Sequence, residues 1–87
     1  MTAMPRLAAG VRLRHDGARD RYVLLSPETV AVLNGTSAAI LRLCDGRRSV
    51  AEVVADLRAG YDGVVEDEVR AFLARMAAKR YVEMSDG

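Results

Sequence analysis

Apolar and polar positions alternate with a period of two up to about residue 33 and recur at close to 3.6 afterwards, so the chain divides into a small sheet followed by helices. In residues 11–15, Val11, Leu13 and His15 alternate with Arg12 and Arg14, and residues 21–25 are rich in strand formers. Asp16-Gly17 opens the five-residue connection DGARD, a hairpin signal that suits an antiparallel pair. Ser26-Pro27-Glu28 is a second turn, and residues 29–33 (TVAVL) make a third short strand. The expected sheet is a three-stranded meander. Residues 1–10 read as a flexible N-terminal arm in which Pro5 blocks regular structure.

The stretch 33–46, LNGTSAAILRLCDG, is the hinge between the two halves. Asn34-Gly35 is a turn pair, and Thr36 or Ser37 can cap the helix that follows. Ile40, Leu43 and Cys44 share one face of it, and Asp45-Gly46 ends it. Ser49 and Glu52 have the spacing of a capping box, ahead of Val50, Val53, Val54 and Leu57 at i, i+3, i+4 and i+7. Gly60 closes that helix, with Tyr61 expected to pack back onto it. A last helix from about residue 65 presents Val65, Val69, Phe72, Leu73 and Met76 on one face. Its first turn holds Glu66, Asp67 and Glu68 and its last Arg75, Lys79 and Arg80, complementing the helix dipole. Residues 81–84 are extended and predict one more short strand.

Length changes this picture only by limiting it: 87 residues supply one core, and residues 11–84 are expected to form a single domain. The apolar fraction of 51% contains no run long enough to span a membrane. The first ten residues lack the apolar core of a secretion signal, and a lone cysteine forms no internal disulfide. A soluble, cytoplasmic protein that binds no membrane is the expectation. The net charge is only +1, whereas nucleic-acid-binding domains are usually clearly basic. The order of three strands and three helices nevertheless also fits a DNA-binding winged-helix regulator, whose third helix would enter a major groove. The acidic turn Glu66, Asp67 and Glu68 stands where base contacts would be made, and it repels phosphate.

Little here points to catalysis. His15 and Cys44 are single representatives of their types, so no metal-ligand spacing exists and no metal is expected. Cys44 on an apolar helix face reads as a core residue, the rival being a thiol-dependent enzyme. The glycines stand singly at element ends and cradle no phosphate. No enzymatic activity and no cofactor are expected. Residues 29–33 are either an unpaired edge able to accept a peptide strand, or a strand covered within the fold.

Several stretches together resemble one family. They are Gly10-Val11-Arg12-Leu13-Arg14, Leu24-Leu25 with Pro27-Glu28, Leu33-Asn34, Ile40-Leu41-Arg42-Leu43-Cys44-Asp45-Gly46, Ser49-Val50-Ala51-Glu52-Val53, and Val69-Arg70-Ala71-Phe72-Leu73. Between Pro5 and Glu83 the chain is similar to the PqqD family, peptide chaperones of pyrroloquinoline quinone (PQQ) biosynthesis and recognition elements for ribosomally made precursor peptides. It departs from the family at Arg80, where a glycine usually follows the last helix. The resemblance implies an α+β fold of three antiparallel strands followed by three helices, winged-helix-like but used for protein. It implies a precursor peptide, PqqA, whose leader adds as a strand to the third strand, and a radical S-adenosylmethionine enzyme, PqqE, that receives it. Carried over by position, Val30, Ala31, Val32 and Leu33 are the docking edge, and Arg70, Leu73, Arg75 and Met76 of the last helix line the groove. A free edge can also pair with its own copy, so a homodimer is a further expectation.

Overall fold

A computed structural model describes residues 3–86, and its first element is one that the hydrophobic pattern does not predict. Strand β1 (Ala3–Leu7) pairs antiparallel with the last strand of the chain, with Arg6 opposite Glu83. Their side chains form an ion pair at 2.9 Å. The expectation of a flexible arm is therefore corrected over residues 3–7, while Met1 and Thr2 lie outside the described residues. Pro5 is buried inside this strand. A proline is tolerated where its missing N–H is not required by the ladder, and here its carbonyl accepts the N–H of Gly46 at 3.0 Å. Gly46 has φ +78°, and a Cβ there would stand 3.4 Å from that of Arg6. Gly46 thus lets β1 cross close by, instead of ending a helix directly.

Strands β2 (Arg12–Asp16), β3 (Arg21–Leu25) and β4 (Val30–Leu33) form the expected antiparallel meander, in the order β2-β3-β4. The first hairpin closes at Asp16 opposite Arg21, so its loop is residues 17–20, one shorter than the sequence suggests. Asp20 takes φ 48°, which aspartate tolerates because its short side chain bonds locally. Leu13, Leu24 and Ala31 lie in line across the three strands and face the helices.

Helix α1 (Gly35–Arg42) starts at Asn34, whose side chain accepts the Ser37 N–H at 2.7 Å. The cap is therefore Asn34, not Thr36 or Ser37, because the chain leaves the sheet in extended geometry at that residue. The helix ends at Arg42, and the N–H groups of Leu43 and Cys44 close a tighter last turn on the carbonyls of Ile40 and Leu41. Helix α2 (Val50–Gly60) has the predicted capping box: Glu52 N–H donates to Ser49 Oγ at 3.1 Å and Ser49 N–H to Glu52 Oε1 at 2.9 Å. Helix α3 (Glu66–Ala78) buries Val69, Phe72, Leu73 and Met76, and β5 (Val82–Asp86) returns to β1. The core joins Leu24 of the sheet to Ile40, Leu41, Val53, Val54, Leu57, Val69, Leu73 and Val82. The fold is α+β, and no helix is long and apolar enough to cross a membrane.

Candidate functional site

Ser26 and Thr29 bracket the β3–β4 turn and exchange two backbone bonds, Ser26 N–H to Thr29 O at 2.9 Å and the reverse at 3.4 Å. Bonded and non-bonded pairs alternate along an antiparallel ladder, so this closed pair sets the phase of all that follow. With Leu25 opposite Val30, Leu24 opposite Ala31, Val23 opposite Val32 and Tyr22 opposite Leu33, Ala31 and Leu33 bond inward to β3. The N–H and C=O groups of Val30 and Val32 point the other way. Among the described residues β4 has no second neighbour, so these groups form an open edge.

The edge runs out at Asn34, and there a cavity of about 390 Å³ opens between α1, the α2–α3 loop and α3. Ala39, Ile40, Leu57, Val69 and Phe72 give it apolar walls. Asn34, Ser37, Tyr61, Glu68 and Arg75 contribute polar groups. The Arg75 guanidinium lies 5.9 Å from the Phe72 ring centre, within cation–π range. One end of the β4 edge thus meets a pocket that can take an apolar side chain and offers both signs of charge.

The residues expected to line a groove separate here. Val30, Ala31, Val32 and Leu33 form the edge, and Arg75 lines the cavity. Arg70 is exposed and donates to Glu66 at 2.9 Å, off the cavity. Leu73 and Met76 are buried at 1% and 9% exposure, so they support α3 from beneath. Phe72 and Val69, read as lying on the apolar face of the last helix, have one side on the cavity, and Tyr61 is half exposed at its rim beside Leu57 of α2. The sequence signal for this opening is the turn pair Asp62-Gly63 set between the apolar residues Tyr61 and Val64-Val65, of which the structure leaves Tyr61 and Val65 exposed.

Cys44 is buried, and its thiol donates to the Ile40 carbonyl at 3.3 Å. Burial, and secondarily the Asp45 carboxylate, push its pKa up to about 12, so the thiol is protonated and a poor nucleophile at neutral pH. Among the described residues no group of three or more His, Cys, Asp and Glu side chains is placed to hold a metal.

Comparison with known proteins bears on the same segments. The family model of coenzyme PQQ synthesis protein D matches residues 21–82, from β3 to the start of β5. The PqqA binding protein of Pseudomonas aeruginosa is 37% identical over 86 residues, covering 97% of this chain and 94% of that protein. The bifunctional coenzyme PQQ synthesis protein C/D of Methylorubrum extorquens is 40% identical over 83 residues, and the chain spans only 22% of its length. The solution NMR structure of the PqqD part of Methylobacterium extorquens PqqCD, a stand-alone recognition element for ribosomally synthesised peptides, superposes with a TM-score of 0.70. It is 40% identical and covers 91% of this chain and 87% of that one. The heterocyclase TruD has the same fold over 12% of its length at 16% identity and a TM-score of 0.70. The family model matches most of the chain, the full-length relative and the NMR structure each cover more than nine-tenths of it, and the chain belongs to the PqqD family.

Proposed function

We propose that this protein is a peptide carrier of PQQ biosynthesis: it binds the leader of the precursor peptide PqqA by strand addition at β4 and presents it to the radical S-adenosylmethionine enzyme PqqE. The observation that carries this reading is the open edge at Val30 and Val32 ending on the cavity beside Arg75. A ladder of about four bonds contributes roughly 2–6 kcal/mol, and ordering as many peptide residues costs about 1–2 kcal/mol each. The two nearly cancel. Affinity then depends on side chains, and burying one leucine-sized group in the cavity adds about 1.5–3 kcal/mol. The leader accordingly places an apolar side chain near Phe72 and Val69, with main-chain pairing setting its direction. The protein performs no chemistry and holds no cofactor; it acts in the cytoplasm as a monomer or homodimer, away from nucleic acid and membrane.

A backbone NMR titration with synthetic leader tests this. Amide shifts are expected at residues 30–34 and 72–76. Shifts confined to β2 or α2 would remove the β4 site.

A further inference from the structure

The sheet has a second face that the leader edge does not use. Side chains alternate across a strand, so the register places Arg12, Leu25 and Val30 in one row and Arg14, Val23 and Val32 in the next, all on the side away from the helices. Val30 and Val32 are the two most exposed large apolar residues among those described, at 67% and 58%. Single exposed valines are ordinary. Two on the same strand face, with half-buried Leu25 beside them and buried Val23 beneath, make an apolar strip where a solvated antiparallel sheet is expected to be polar. Asp16 and Arg21 approach to 3.8 Å at one end of this face. Arg12 and Arg14 are exposed and have no carboxylate within ion-pair distance among the described residues.

We propose that this outer face of β2, β3 and β4 is the docking surface for the enzyme that receives the peptide, and that the enzyme meets it with an apolar patch edged by carboxylates. The charge of Arg12 and Arg14 selects the acidic edge. Continuity selects the occupant: a leader strand added at β4 extends this face, because its alternate side chains emerge beside Val30 and Val32. A protein seated there touches carrier and peptide at once. The enzyme's identity rests on the proposed function, whereas the face itself does not.

The test uses methyl NMR of the intact protein with purified PqqE, with and without leader, and calorimetry on the double variant Arg12→Glu/Arg14→Glu. Neither arginine belongs to the leader edge or the cavity. The enzyme is expected to shift or broaden the methyls of Leu25, Val30 and Val32 more than those of Leu57 and Val69. The double variant is expected to keep its thermal midpoint and leader affinity and to lose about tenfold or more in enzyme affinity. Enzyme affinity unchanged in that variant, or enzyme shifts confined to the helices, overturns the inference. So do outer-face shifts that arise instead with phosphatidylglycerol vesicles alone, or with rising concentration of the protein alone, since these assign the face to a membrane or a second copy. Failure of the leader to shift β4 sinks the proposed function separately, because the enzyme-only arm still reads the outer face.

Discussion

The backbone N–H of Tyr81 donates to the carbonyl of Met76 at 2.9 Å, across the residue where α3 turns into β5. With the Arg80 N–H bonded to Ala77 O at 3.0 Å, the pair forms the double closure of a Schellman motif. Arg80 carries φ +64° to make it. This is the position where the resemblance to the family implies a glycine, and here the turn is made with a side chain present.

That geometry has a cost. A left-handed backbone disfavours a non-glycine residue by roughly 1–2 kcal/mol, partly offset by the greater freedom of glycine in the unfolded chain. Arg80→Gly is therefore expected to stabilise the fold by about 0.5–1 kcal/mol, or roughly 2–8 °C in midpoint for a domain of this size. Urea and thermal denaturation check it, and an unchanged or lowered midpoint counts against the strain.

The capping box is the next test. Ser49→Ala removes the acceptor for the Glu52 N–H and is expected to cost about 0.5–2 kcal/mol with leader affinity unchanged. Glu52 also adds a pH dependence. The Ser49 N–H, and then the Ser49 hydroxyl, hold its carboxyl below the ordinary glutamate value of 4.5. A carboxylate depressed in the folded state stabilises fully above its unfolded pKa, and that contribution is lost as pH falls through the folded one. Glu52→Gln should accordingly flatten part of the stability loss below about pH 4.5, as read by denaturation at several pH values.

Cys44→Ala should leave leader binding intact and cost roughly 1 kcal/mol of stability, within the range for small core truncations. The folded parent should resist thiol reagents near pH 8 until denaturant is added. Because the folded thiol pKa is raised from 9.0 to about 12, its contribution is whole below pH 9.0 and disappears as pH rises through that interval. Rapid labelling of the native protein would contradict a buried thiol.

Proline substitution separates the two sides of β4. Proline removes one backbone donor and restricts the residue before it. At Val32 that donor faces the open edge, so Val32→Pro should fold and lose leader binding. At Ala31 it bonds to β3, so Ala31→Pro should lose the sheet. Circular dichroism and leader titration on both variants give the answer, and a Val32→Pro protein that binds like the parent would eliminate strand addition at this edge.

The hairpins, the caps and the helix faces were legible from sequence because their causes are local: turn residues set strand reversal, Ser49 and Glu52 lie three residues apart, and Val50, Val53, Val54 and Leu57 share a face at helical spacing. What required the tertiary structure has its causes far apart in the chain. Arg6 meets Glu83 across 77 positions of sequence, and no local pattern marks Pro5 as part of a strand. The freedom of β4 depends on which strands find partners, and the phase of its outward groups depends on one closed pair at Ser26 and Thr29. Helical periodicity placed Leu73 and Phe72 on the same face, yet only packing could bury Leu73 in the core and leave Phe72 facing a cavity. A side chain's period tells which way it points; what lies there is decided by segments that approach only when the whole chain has folded.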